Sequence, residues 1–519
     1  MLSKIFKRKL NKNKPAKVVA QATRNIPVLA PINTLPVEIL AYMFEILLSL
    51  HGRPCSVDEV NKHLGSFSAP DPLLCICSHW RQVALASPTL WSHIDILLPL
   101  PGSQKVLARA KTFLERAGQS PLDIHIIDKP GRSWRLCDQP DDEYSNLDIY
   151  LKTGLAFGFP NEGIVLDDPE ALEFILSIPS RASVRSIELA MTSDNMPRLF
   201  GPVLRYFFAG CTTGTLTKLT SRGGSFIRFI DPGASRSLRQ SPVNALHPPT
   251  DKLDALWLSI TTLHVSGGLG ACLSWSSNAF KGLTDLRLDL ANAIAESQLV
   301  NILKSSPKLR ILKLHLCITG VLPLNSPVKP VRLNDLEVLD VVGERLTRAR
   351  FGALIRWIGL GKKPLRLSLW CPLGSKSLQS FLRRSNVTEL HVRIDEGEDT
   401  NMSELETIVG LSPGLRILAV DACDNGFLSS TACYGSGGGF KSSTRIDSPH
   451  LQYCQSMQIE KLHQMIKKHS IHTLTMWSST VFEGECIALD RDIFSLCPVV
   501  KRLKRREYTP MEDWIDSIL

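Results

Sequence analysis

Three groups of residues in this 519-residue chain have side chains whose type and spacing could do chemistry. Cys75-x-Cys77-x-His79 offers two thiols and an imidazole, donor types that bind zinc. The spacing is poor for a zinc site and the segment reads as helix, so packing is the expected role. Gly435-Ser436-Gly437-Gly438-Gly439-Phe440-Lys441-Ser442 has the glycines and the Lys-Ser ending of a loop that cradles phosphate. Phe440 stands where glycine must precede the lysine, and no clear strand feeds the loop, so it reads as a connection between elements. Asp141-Asp142-Glu143 and Asp395-Glu396-Gly397-Glu398-Asp399 gather carboxylates without the calcium-loop pattern and read as solvated turns. There is no nucleophile motif, no HExxH and no dinucleotide fingerprint. The chain is therefore expected to be non-catalytic, with no cofactor and no metal.

Composition narrows the field further. Hydrophobic residues make up 44% and charged residues 21%, enough to bury a large core and against wholesale disorder. The 13 cysteines are scattered and form no CxxC pair, which argues against a disulfide scaffold or zinc ribbon and fits a reducing compartment, cytoplasmic and/or nuclear. The net charge of +10 is concentrated: Lys4, Lys7, Arg8, Lys9, Lys12, Lys14, Lys17 and Arg24 come before the first acid, Glu38, leaving +2 for the rest. Residues 1–30 are expected to be a basic arm. It could be a nuclear-localisation patch, a contact to anionic membrane or nucleic acid, a presequence or a solvated tail. The nearly neutral remainder speaks against a nucleic-acid groove. No run of about 20 apolar residues is present, so no membrane span is expected, and the N-terminus lacks a secretory h-region.

The elements that must position any binding residue come from a repeat. Hydrophobic-x-x-Leu-x-Leu, or a close variant, starts at Val184, Ile260, Leu283, Leu309, Leu336, Pro364, Val387, Leu415 and Ile471, with a weak copy at Val500. From 260 to 415 the starts are 23 to 28 residues apart, and the gap of 56 before 471 equals two steps of 28 and is expected to hide a degenerate copy. Amphipathic helices are expected between copies at 297–305, 351–359, 377–384, 404–410 and 459–468. Several end in a break such as Ser305-Ser306-Pro307. This period matches leucine-rich repeats. A strand plus a helix cannot bury its apolar face alone, so neighbours stack. The expected fold class is α/β: a small N-terminal helical module, a connecting region over 99–180, and a curved repeat solenoid over 181–510 with a concave parallel sheet. Residues 190–259 read as irregular early repeats with a long loop.

The helical module is expected over 31–98. Pro36 suits a first helical turn, and Ile39, Leu40, Met43, Phe44 and Leu47 form one apolar stripe. After a spacer at 51–70 come an apolar helix over 73–86 and the extended segment Leu90-Trp91-Ser92-His93-Ile94-Asp95-Ile96. Leu35-Pro36-x-Glu38-Ile39-Leu40 with Phe44, then Cys77-Ser78-His79-Trp80-Arg81-x-Val83-Ala84, then Pro88-x-Leu90-Trp91, resembles an F-box. The long spacer is a departure from the compact form, known in the large fungal F-box families. The segment Phe113 to Ile124 is similar to the helix and strand that often follow there.

The resemblance implies docking on a Skp-type adaptor and, through it, on the cullin and RING core of an SCF ubiquitin ligase. Leu35, Pro36, Ile39 and Leu40 are the expected adaptor contacts. Phe44 and Trp80 are divided between contact and module core. The repeats would bind an unidentified target protein through strand residues between the leucines: Arg287, Lys313, His315, Arg366, Trp370, His391 and Arg393, with Thr284, Asp285, Glu337, Asp340, Ser368, Glu389, Thr473 and Thr475 beside them. Trp370, if exposed, would be the anchor. Two other roles stay open: a protein-interaction scaffold without ubiquitination, and a nucleic-acid factor using the basic arm.

Overall fold

The computed structural model describes residues 31–50, 70–98, 104–128, 182–190, 210–222, 250–267, 274–323, 326–342, 348–370, 374–394, 402–422 and, with short interruptions, 445–503, plus short pieces within 174–178 and 207–208. The basic arm, the spacer at 51–69, both acidic clusters and the glycine run at 435–442 lie outside these residues. The described chain forms two compact units, one ending at Ser87 and the other continuing from Pro88.

In the first unit, a 3-10 turn at Pro31–Thr34 leads into α1 (Val37–Leu50), whose first turn carries Glu38 near the positive end of the helix dipole. The single helix expected over 73–86 is instead two, α2 (Asp71–Leu74) and α3 (Ser78–Leu85). Cys77 breaks them apart: its backbone is extended and its Sγ accepts a hydrogen bond from the Trp80 N–H at 3.4 Å, capping α3. Leu40, Phe44, Leu73, Val83 and Ala84 form the core of the unit, and the Phe44 and Trp80 rings meet at 4.9 Å between centroids.

The second unit is built on one sheet of fourteen strands in chain order, with every neighbouring pair parallel. The strands are β1 (His93–Leu98), β2 (Leu122–Asp128), β3 (Val184–Ala190), β4 (Lys218–Arg222), β5 (Thr262–Gly267), β6 (Asp285–Ala295) and β7 (Ile311–Thr319). They continue as β8 (Val338–Val342), β9 (Leu365–Trp370), β10 (Val387–Ile394), β11 (Ile417–Ala422), β12 (Ser448–Gln452), β13 (Thr473–Trp477) and β14 (Val499–Leu503). The hidden copy between 415 and 471 is β12. The sheet also reaches further toward the N-terminus than the expected start at 181. Ile94-Asp95-Ile96 and Ile124-His125-Ile126 carry the strand alternation without the leading Leu-x-x, so β1 and β2 join the array.

Helices α4 (Gln104–Ala117), α5 (Thr250–Ser259), α6 (Glu296–Ser305), α7 (Arg348–Trp357), α8 (Lys376–Arg384), α9 (Met402–Gly410) and α10 (Ile459–Lys468) lie between strands. The fold is thus an α/β solenoid of leucine-rich-repeat type. Its spine is a row of residues paired across neighbouring strands: Ile94, Ile124, Ile187, Leu219, Leu263, Leu286, Leu312, Leu339, Leu367, Leu390 and Leu418, none more than 4% exposed. Burying each such side chain stabilises the fold by roughly 1.5–3 kcal/mol relative to exposure.

Polar residues clip the repeats together. Ser306 sits in the break after α6, donates from its hydroxyl to the Phe280 carbonyl at 3.1 Å and accepts from the Leu283 N–H at 3.1 Å, joining one helix end to the start of the preceding strand. Glu296, 1% exposed, accepts from Arg356 (2.6 Å), from the Trp357 indole and from the Leu322 N–H, and so ties α6 to α7. Among the described residues no helix is long and apolar enough to cross a membrane.

Candidate functional site

Each strand from β1 to β13 puts one residue between two core-side positions, and parallel pairing in register lines these up across the sheet, with Lys501 of β14 completing the row. From β1 to β14 the row reads Asp95, His125, Glu188, Thr220, His264, Arg287, Lys313, Asp340, Ser368, His391, Ala419, His450, Thr475 and Lys501. Only Ala419 is apolar. Because side chains alternate faces at each step, the row lies opposite the leucine spine.

Half of this row is organised by ion pairs, most of them between neighbouring strands. On β5 and β6, Asp285 accepts from His264 Nε2 at 3.0 Å and from both arms of the Arg287 guanidinium at 3.1 and 3.0 Å. Burial pushes the His264 pKa down, and its hydrogen bond to Asp285 only partly offsets this. On β7 and β8, Lys313 Nζ and His315 Nε2 both lie 3.3 Å from Asp340 Oδ2, and His315 Nδ1 lies 3.6 Å from Asp289. Burial opposes charge on both Asp340 and His315, but for His315 the hydrogen bonds to Asp289 and then Asp340, and for Asp340 the contact with His315, outweigh it. The Asp340 pKa falls to about 2, aided by Lys313, and the His315 pKa rises. Toward the C-terminal repeats the row holds neutral imidazoles. Burial lowers the pKa values of His391 and His450 to about 4, and His391 Nδ1 lies 3.1 Å from the Ser368 hydroxyl.

The seven residues expected to bind a target all lie on this face. Arg287, Lys313 and His391 belong to the central row. His315, Trp370 and Arg393 lie one paired position toward the strand C-termini, and Arg366 one position toward the N-termini, where it pairs with Glu389 at 3.1 Å. Trp370 and Arg393 face each other across β9 and β10, with the guanidinium 4.1 Å from the ring centroid and Asp421 3.8 Å beyond. The next partners in that line are Gln452 and Trp477. The indole N–H groups of Trp370 and Trp477 and the Gln452 carbonyl are buried without a hydrogen-bond partner. Trp370 and Arg393 form a stacked pair, whereas Arg287 is held by Asp285 and its side chain is only 13% exposed.

The sheet face also gathers residues absent from the sequence-based set. On β1 and β2, Asp95 Oδ1 lies 3.0 Å from His93 Nε2 and 3.2 Å from His125 Nδ1, and His125 Nε2 lies 3.9 Å from Glu188 Oε1. These contacts drive the Asp95 pKa down against the effect of burial. His93, Asp95 and His125 are the one group among the described residues whose donor atoms converge as metal ligands could. For Asp95 and His125 a signal was in the sequence, as the residue inside the apolar-x-apolar triplets Ile94-Asp95-Ile96 and Ile124-His125-Ile126; His93 lies outside its triplet and carried none.

In the helical unit, Leu35 and Trp80 are half-buried, Pro36 is exposed, Ile39 is 48% exposed, and Leu40 and Phe44 are fully buried. The Trp80 indole donates to Asn33 Oδ1 at 3.0 Å, fixing the turn before α1 against α3. Val37, Tyr42 and Ile46 of α1, with Ile76 and Leu85, are large exposed apolar side chains.

No family model matches the chain, and no curated protein matches it. A solved structure described as a crystal structure of Rad7 and Elc1 complex in yeast is similar, with a TM-score of 0.33 and 13% identity over 65% of this chain and 71% of that one. Likeness at that level carries no argument about partners or activity.

Proposed function

We propose that the protein is a non-catalytic substrate-recognition subunit of an SCF-type ubiquitin ligase. The helical unit would be an F-box that docks on a Skp-type adaptor, and the sheet face of the repeats would hold a target protein. One observation carries the reading: α1 is apolar on both sides within a unit too small to cover both. Leu40 and Phe44 fill its core while Val37, Ile39, Tyr42 and Ile46 stay between 38 and 61% exposed. A helix with a second, exposed apolar face needs a second partner, and the surrounding motif resembles the F-box in the order of its elements. On this reading Leu35, Pro36 and Ile39 touch the adaptor, whereas Leu40 and Phe44 support the unit from inside. The protein breaks no bond itself. It raises the concentration of its target near the ubiquitin carrier, toward ubiquitin-dependent degradation in cytoplasm or nucleus.

Pull-down with a purified Skp-type adaptor tests this. Ile39→Asp, and separately Leu35→Ala with Pro36→Ala, should abolish capture while circular dichroism of the whole protein is unchanged. Undiminished capture by folded variants removes the adaptor reading. Adaptor binding without ubiquitin transfer to any co-purified protein, in a reconstituted assay, would instead leave an interaction scaffold.

A further inference from the structure

We propose that His93, Asp95 and His125 form a zinc-binding site across the first two strands of the sheet. His93 and Asp95 are two residues apart on β1 and so share a face, and parallel register sets His125 of β2 directly beside Asp95. The donor atoms converge: Asp95 Oδ1 is 3.0 Å from His93 Nε2 and 3.2 Å from His125 Nδ1, and all three lie within 4.8 Å of one another. Around tetrahedral zinc with bonds of about 2.0–2.1 Å, neighbouring ligand atoms are about 3.3 Å apart. Two of the three edges already have that length, and rotation of the His93 ring would close the third. The His93 and Asp95 side chains are 18% and 19% exposed, which gives an ion and a fourth, water ligand access, while His125 at 3% is held rigidly.

The surroundings favour a metal over a plain hydrogen-bonded cluster. Without a metal, His93 Nε2 and His125 Nδ1 both point at the same Asp95 oxygen, and neither His125 Nε2, 3.9 Å from Glu188 Oε1, nor His93 Nδ1 has a hydrogen-bond partner. With zinc on Nδ1, the proton sits on Nε2 and faces Glu188, whose other contact is Arg222 at 3.1 Å. A carboxylate behind a ligating imidazole is the usual supporting arrangement.

The two other buried His–Asp groups on this face already contain a fixed cation, Arg287 on Asp285 and Lys313 on Asp340. Asp95 has no Lys or Arg partner among the described residues, so its carboxylate remains available to a dication. Two imidazoles and one carboxylate suit Zn2+ and disfavour Mg2+ and Ca2+, which take oxygen ligands. The bound ion would pin β1 to β2.

The test uses full-length protein freed of metal with a chelator, then titrated with Co2+ as a spectroscopic probe and with Zn2+ against a chromophoric chelator. One ion should bind with the visible absorption of a low-symmetry nitrogen and oxygen site, and Zn2+ should raise the melting temperature. His93→Ala and Asp95→Asn should each weaken binding about 100-fold or more. Asp95→Asn keeps a hydrogen-bond acceptor, so the strands should stay paired, and His315→Ala should bind as the parent does. Failure to bind either ion overturns the site. So does binding that is equal in the folded His93→Ala and Asp95→Asn variants, which would put the ion elsewhere on the chain.

Discussion

At Asp340, burial alone would favour the protonated acid, yet Lys313 and His315 hold it ionised and the same contact raises the His315 pKa. A raised imidazole pKa contributes stability that is complete below the unfolded value of about 6.5 and is lost as pH rises through the folded value. Asp340→Asn should therefore lower the His315 pKa, read by NMR titration of its ring protons; an unmoved titration would mean that Asp289 alone sets it. His391 and His450 work in the opposite direction. Both are lowered to about 4, so they cost nothing above pH 6.5 and destabilise the fold as pH falls from there. Each can remove up to about 1.4 kcal/mol per pH unit until its folded value is reached. Urea midpoints measured between pH 7 and 4 should drop, and His391→Gln or His450→Gln should flatten the slope. A parallel curve for both variants would assign acid sensitivity elsewhere.

Within one repeat, the strand is the rigid part and its leucines carry most of the stability. Leu312 is fully buried in the spine, and Leu312→Ala should cost about 2–5 kcal/mol. Glu296→Ala should be comparably damaging, about 3–5 kcal/mol, because it strands Arg356 beside a buried helix junction. Chemical denaturation of the two variants measures both, and a loss below 1 kcal/mol for Glu296→Ala would show that α6 and α7 are held by packing alone. From β5 to β11 the repeat was legible in the sequence because hydrophobic-x-x-Leu-x-Leu announces each strand, and even the degenerate copy at Ser448–Gln452 followed from the step length, whereas β4 lay in the stretch read as irregular. β1 and β2 were not read as repeats, because Trp91-x-x-Ile94-x-Ile96 and Pro121-x-x-Ile124-x-Ile126 carry isoleucine where most copies carry leucine. The break at Cys77 also escaped, because no Gly or Pro between Leu73 and Ala86 marks it and the sulfur cap shows only in coordinates. The pairing of Trp370 with Arg393, and of His93 with His125 through Asp95, depends on register between strands 20 or more residues apart, which local pattern does not encode.

For the molecule as a whole, strand order in the large sheet follows chain order, so each strand pairs only with the strands of adjacent repeats, and longer ties such as Glu296–Arg356 are side-chain contacts between helices. Stability then behaves as a chain of nearest-neighbour terms, and the ends are weakest. Hydrogen exchange should be slowest in β6 to β9 and fastest in β1 and β14; uniform protection across all strands would mean that the unit opens all at once. If zinc binds at β1 and β2, its addition should slow exchange there first. The unbroken row opposite the leucine spine has one more consequence, in length. Thirteen inter-strand steps of about 4.8 Å give it a contour of roughly 60 Å. A partner segment laid along it in extended form, at about 3.3 Å per residue, needs on the order of 19 residues to run from Asp95 to Lys501. On the proposed function, shorter peptides would reach only a few repeats at a time, so the array would act as a graduated ruler on which the span of the ligand, as well as its chemistry, decides which repeats are used.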